Sequence, residues 1–425
     1  MDRFKQGVWS RHNGALMCEA VALEAVAAQF GTPTYVYSRR ALQEAAGAWM
    51  AALSGRDALV CFAVKANPNL AVLDVLAQAG CGFDIVSGGE LARVKAAGAD
   101  TRRVVFSGVG KTASEIEQAL EADILCFNVE SEAELVMIER VAAACGARAR
   151  VSLRVNPDVD ARTHPYISTG LKDNKFGIAY EQAPALYRKA AASAHLQVVG
   201  IDCHIGSQIT EVAPFVDAAS RVLDLVDVLQ QEGIRLQHID LGGGLGIRYR
   251  DEVPPTVQTL VGALTACIDA RGHGDKTLLF EPGRAIAAHA GALLTRVILT
   301  KAGASKHFAV VDAAMNDLMR PALYDAWMDV WPLHERAGQT SGYEIVGPVC
   351  ESGDWLARDR PLVLEAGDVL VLADSGAYGM SMASNYNSRP RAAEVMIDGE
   401  RMVQVRARER LADLWAGESP LPKSA

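Results

Sequence analysis

Lys65 closes an apolar run in the string FAVKAN. An amine at the end of a buried strand loses solvent, its pKa falls, and the free base can form a Schiff base with a carbonyl. A lysine that reaches out to water would look the same. A second element is DLGGGLG, residues 240–246. Three consecutive glycines let backbone N–H groups approach an anion closely, and a helix start adds its positive end. A plain glycine turn is the simpler alternative. EPGR, residues 281–284, follows. Glu281 set against a ring nitrogen would keep that nitrogen protonated, and Arg284 would face an anion; otherwise the two would pair with each other. His204, in HIGSQ, offers a flat imidazole for stacking or proton exchange, and Ser207 a hydroxyl for a phosphate. A Schiff-base lysine, an anion cradle, a carboxylate and a flat stacking partner are together what pyridoxal 5'-phosphate requires of a protein.

These residues fall in a regular rhythm. Short apolar, β-branched runs at 58–64, 82–86, 104–107, 124–128, 150–155, 198–204, 236–241 and 278–281 alternate with stretches of helical spacing. Strands that alternate with helices pair in parallel through right-handed crossovers. Eight such units predict a closed (β/α)8 TIM-like barrel, although a doubly wound sheet has the same local pattern. The strand ends are polar: Lys65, Ser87, Ser107, Asn128, Arg154, Asn156, His204, the glycine triplet and Glu281. Reactive groups in such barrels gather at those ends. After about Arg284 the helices give way to alternating runs, at 294–299, 307–311, 343–346, 368–372, 394–397 and 402–405. They predict a mostly antiparallel β domain.

Composition narrows the class. Of 425 residues, 50% are hydrophobic and 22% charged, an ordinary globular balance. A net charge of -9 argues against nucleic acid as a partner. The most apolar run, residues 285–294, is too short to span a bilayer, so no membrane role is expected. The N-terminus has no apolar signal core. The eight cysteines form no C-x-x-C pair and no zinc spacing, so no metal site is expected and a reducing cytoplasm is the natural compartment.

The blocks FAVKAN, FDIVSGGE, HPYISTGLKDNKFGI, HIGSQ, LGGGLGI, EPGR, RPALYDA, GPVCESGD and DSGAYGMSMASNYN, in this order, resemble those of the fold-type III pyridoxal-phosphate-dependent decarboxylases. The likeness covers nearly the whole chain. It implies a barrel over residues 31–283 and a β domain made of 1–30 with 284–425, the N-terminal segment joining the C-terminal domain. It also implies a homodimer with its active site at the interface.

Residue by residue, the resemblance implies that Lys65 carries the cofactor and His204 stacks on its ring. Gly243, Gly244, Glu281, Pro282, Gly283 and Arg284 bind it, Glu281 facing the pyridine nitrogen. Asp84 and Ser207 support it, and Tyr378 contacts both phosphate and substrate. Cys350, supplied by the second protomer, is the proton donor. Arg320 and Tyr324 in RPALYDA, with Arg284, match a grip for a distal carboxylate, for which the arginine fork is suited. Glu351 would take a distal ammonium. Ornithine decarboxylases typically have aspartate after that cysteine and lack the RPALY grip. The expected substrate is therefore a small amino acid with an amino-acid group at each end, decarboxylated at its D centre. The HPYISTG segment is expected to act as a lid. Competing readings are a decarboxylase of a neighbouring diamino substrate, an alanine-type racemase, or a non-catalytic relative. The last should have lost Lys65, Glu281 or Cys350, and all three are present.

Overall fold

The computed structural model describes residues 7–159, 175–304 and 306–422. The chain divides into two compact units, Leu42–Ala288 and Met1–Ala41 with His289–Ala425.

The first unit is the expected barrel. Its strands are β1 Ala58–Ala63, β2 Gly82–Ile85, β3 Val104–Phe106, β4 Cys126–Val129, β5 Ala149–Asn156, β6 Leu196–Asp202, β7 His238–Asp240 and β8 Thr277–Phe280. Each pairs in parallel with the next. β8 closes on β1, with Leu278 opposite Ala58. Strands covered on both faces can be wholly apolar, which is why they read as short hydrophobic runs. The helices between them start where side chains cap them. Asn69, Ser87, Thr112, Ser131 and Thr256 each accept an N–H from the first turn of the helix that follows. Thr112 and Glu115 form a reciprocal capping box. The strands stop one or two residues short of several expected ends, which leaves the polar residues on the loops above them.

The second unit is a mixed sheet. Along it run Trp355–Leu362, Ser341–Val346, His307–Val311, Gly291–Ala302, Thr34–Ser38, Ala393–Asp398 and Arg401–Arg406. Most of its ladders are antiparallel, as expected. Two among the described residues are parallel: His307–Val311 with Ser341–Val346, and Thr34–Ser38 with Ala393–Asp398. The sequence reading opens the barrel at residue 31, yet Thr34–Ser38 lies inside this sheet, antiparallel to Gly291–Ala302. All five of its residues are buried, so no alternation marked it. A small sheet of Trp9–His12, Ala15–Cys18 and Val21–Ala22 leads into helix Leu23–Phe30. Leu16, Leu23, Val26, Val36, Leu294 and Val395 belong to one hydrophobic core in this unit.

Candidate active site

In the barrel, the polar residues beyond the strand ends converge on one mouth. Lys65 stands on a single 3-10 turn, Val64–Ala66, just past β1. Its Nζ donates to Asp84 Oδ2 at 2.5 Å. Asp84 is fully buried in β2, while the lysine side chain is 39% exposed, so the amine is fixed yet reachable. Glu281 follows β8. Its Oε1 accepts from Asn128 Nδ2 at 3.2 Å and from Ser107 Oγ at 3.4 Å. Two of the polar strand ends thus serve a third. Ser87 is used differently, as a helix cap.

The glycine loop after β7 is a close-packed crossing of backbones. A Cβ on Gly243 would stand 2.2 Å from the Glu281 carbonyl oxygen, and one on Gly244 2.4 Å from that of Gly206. Gly244 also has φ +102°, where a side chain is strained. The Gly243 N–H donates to His204 Nδ1 at 3.1 Å, which leaves Nε2 to carry the ring proton. Burial, and then the positive charges of Arg154 and Lys65, hold His204 well below its ordinary pKa. It is a neutral ring at physiological pH. Arg284 Nη1 donates to Tyr249 Oη at 2.8 Å and Nη2 to Ser207 Oγ at 3.1 Å.

Two residues at this mouth escaped the sequence reading. Asp202 ends β6 and Asp240 ends β7, and both are buried. Their carboxyl oxygens and one of Glu281 lie within 4.8 Å of one another. At that spacing two like charges repel by roughly 3–4 kcal/mol even at an effective dielectric of about 20. Burial first, then Asp240, Asp84 and Asp202, raise Glu281 well above the usual carboxylate range. Asp202 is raised likewise, by burial and then Asp240. Asp240 is pushed up to about 6, burial being partly offset by the Gly242 N–H. The sequence signal was an aspartate closing an apolar strand, in GID and HID, a pattern also produced by any turn. Glu90, in FDIVSGGE, is pushed up to about 7 by burial. The arrangement suits a planar ring with a cationic nitrogen, gripped beside a lysine: a reachable amine, a neutral imidazole, buried acids and a backbone cradle share one mouth.

The remaining expected residues belong to the other unit. Arg320 begins helix Arg320–Tyr324 and is buried, with Nη1 3.7 Å from Met328 Sδ. Tyr324 ends that helix, half-buried. Cys350 and Glu351 are exposed on the loop between Ser341–Val346 and Trp355–Leu362. Asp354 ties that loop by accepting the N–H groups of Met315 at 2.6 Å and Val349 at 2.8 Å. The Cys350 N–H donates to Asn387 Oδ1 at 2.9 Å. Tyr378 is held at φ +56° in the turn before Gly379. The HPYISTG segment, residues 164–170, lies outside the described residues.

The family model for the pyridoxal-dependent decarboxylase, pyridoxal binding domain, matches residues 39–288. The fold and this match define a pyridoxal-phosphate-dependent decarboxylase, a carboxy-lyase on a TIM-like barrel. The chain is 58% identical to the diaminopimelate decarboxylase of Pseudomonas aeruginosa, over 98% of this chain and 99% of that one. It is 55% identical to that of Vibrio cholerae, over 97% and 99%. The crystal structure of the M. jannaschii diaminopimelate decarboxylase in co-complex with L-lysine superposes with a TM-score of 0.93, at 38% identity, covering 97% of this chain and 98% of that one. This chain belongs to the diaminopimelate decarboxylase family.

Proposed function

We propose that the chain removes one carboxylate from meso-2,6-diaminopimelate, giving L-lysine and carbon dioxide in the last step of lysine biosynthesis by that route. The observation that carries the site assignment is the Lys65 amine held 2.5 Å from buried Asp84 at the barrel mouth. Pyridoxal phosphate, when bound, supplies the electron sink that accepts the pair left by the departing carboxylate.

The chain's own groups do the rest. Lys65 carries the cofactor through Nζ, and Asp84 orients that nitrogen. His204, neutral, offers its face to the ring. Glu281 faces the ring nitrogen. Gly243 and Gly244 bring backbone close to the phosphate, aided by Pro282, Gly283, Ser207, Arg284 and Tyr378. Arg320, Tyr324 and Arg284 grip the distal carboxylate, and Glu351 the distal ammonium. By fixing the far end they would orient the D-centre carboxylate for its departure. Cys350 of the second protomer in a homodimer then passes its Sγ proton to the carbon. The expected setting is the cytoplasm.

The test is carbon dioxide release from meso-diaminopimelate, ornithine, arginine and lysine, with and without added pyridoxal phosphate. Release from diaminopimelate alone, with lysine formed in equal amount, is the expected result. Release from ornithine or arginine instead would keep fold and cofactor and overturn the substrate.

A further inference from the structure

Behind Glu281 stand two carboxyls that the reaction as described does not use. Asp240 is fixed, its Oδ1 accepting the Gly242 N–H at 2.9 Å. The Gly242 carbonyl in turn accepts the Glu281 N–H at 2.7 Å, so one residue locks both acids together. Asp202 is 1% exposed, and neither of its carboxyl oxygens has a hydrogen-bond partner among the described residues. Its nearest cation is Arg154 Nε, at 3.9 Å.

The groups facing this cluster do not neutralise it. Lys65 is engaged by Asp84 at 2.5 Å, and Arg154 by Glu130 at 3.0 Å. Cys61 and Cys126 are buried thiols kept protonated, and His238, pushed down to about 4 by burial, is neutral. Three buried acids therefore face two cations that already have partners, and they cannot all be ionised.

We propose that Glu281 and Asp240 act on the cofactor as a pair: Glu281 stores a proton and hands it to the ring nitrogen, and Asp240 is the fixed negative charge that keeps it there. This rests on the reading above, in which Glu281 faces that nitrogen. The O–H bond of Glu281 breaks, an N–H bond forms on the ring, and the electron pair stays on the Glu281 carboxylate. No proton comes from solvent. The division of roles follows from the donors: a backbone N–H stabilises the ionised form of Asp240, while the bonds Glu281 accepts, from Asn128 at 3.2 Å and Ser107 at 3.4 Å, come from side chains, and its own carboxyl bonds to Asp240. Asp202, without a donor, stays protonated. Asp240 is thus a positioning residue.

The test is an infrared difference spectrum of the wild-type chain, with pyridoxal phosphate minus without. Loss of one protonated-carboxyl band is expected, and Glu281→Gln should lack that change. Alongside it, the Kd for pyridoxal phosphate is measured for Asp240→Asn from pH 6 to pH 8. The ratio of variant to wild-type Kd should exceed tenfold at pH 8 and shrink toward pH 6, because without the fixed charge the ring proton is lost earlier. Lysine titration is common to both proteins and cancels in the ratio. A ratio independent of pH would mean Asp240 is only structural. Cofactor binding by wild type with no band lost would overturn the pair even if Asp240→Asn does not fold. Failure of wild type to bind the cofactor at all would overturn the functional reading beneath it.

Discussion

Replacing Gly243 by alanine tests whether the crossing of two backbones at the barrel mouth sets the position of Glu281. The added Cβ would lie 2.2 Å from the Glu281 carbonyl oxygen and 3.0 Å from its carbonyl carbon. Ordinary contact begins near 3.4 Å, so the two segments must part by about 1 Å. Neither is free to give. The Gly243 N–H is bonded to His204 Nδ1 at 3.1 Å, and the Glu281 N–H to the Gly242 carbonyl at 2.7 Å. Overpacking of this kind costs about 1–3 kcal/mol of stability. A displacement of about 1 Å in a reacting group costs on the order of 100-fold in rate. Gly243→Ala should therefore unfold at lower urea in the cofactor-free state and lose about two decades in kcat/KM on diaminopimelate. Gly262→Ala is the control. It lies in helix Val257–Ala270 with nothing within 4 Å of a Cβ, and should gain about 0.5–1 kcal/mol. Activity of Gly243→Ala within threefold of wild type, with unchanged cofactor affinity, would refute the argument.

Other perturbations separate the remaining roles. Lys65→Ala should abolish the visible absorbance of the bound cofactor; absorbance retained after gel filtration would remove Lys65 from the mechanism. Arg320→Ala should lower kcat/KM for diaminopimelate by the equivalent of about 2–5 kcal/mol, and an unchanged value would place the distal carboxylate elsewhere. Asp317 is pushed up to about 7, burial outweighing the bond from the Ala314 N–H. A carboxyl raised in the folded state favours folding at low pH, and that contribution is lost as pH climbs from about 4 through about 7. Asp317→Asn, neutral throughout, should therefore gain on wild type between pH 5 and pH 8, by on the order of 2–4 kcal/mol. Unfolding midpoints that differ equally at the two pH values would mean that Asp317 does not hold its proton.

The barrel was legible because its physics is local. Parallel strands covered on both faces leave short apolar runs, and the caps Asn69, Ser87, Thr112, Ser131 and Thr256 punctuate the helices between them. Elements without such contrast were missed. Helix Arg39–Ala52 buries Leu42, Ala46 and Trp49 in an alanine-rich stretch where the apolar face hardly stands out. Strand Trp355–Leu362 carries Arg358, Asp359 and Arg360, and reads as a loop. In the site, Lys65, His204 and Glu281 declare their chemistry by residue type. Asp202 and Asp240 do not, since an aspartate after an apolar run is ordinary turn chemistry. Only closure of the barrel, which sets β6, β7 and β8 side by side, brings their carboxyls within 4.8 Å of each other and of Glu281.

The charges at the mouth set opposite protonation states on His204 and Glu281, and both states suit the ring that the proposed function places there. Arg154, on β5, donates to Glu130 at 3.0 Å and lies 3.5 Å from the His204 carbonyl. Its charge and that of Lys65 add to burial in keeping His204 unprotonated. That state suits the proposed role of His204 against a protonated pyridine, because two cationic faces would repel. Around Glu281 burial, and then Asp240, Asp84 and Asp202, raise the pKa, so the carboxyl holds a proton, which in the proposed reading it would offer to the ring nitrogen. One imidazole is thus denied a proton and one carboxyl supplied with one, within a single barrel mouth and by the same few buried charges. Neither state follows from residue type alone, since a solvent-exposed histidine or glutamate would titrate at its ordinary value.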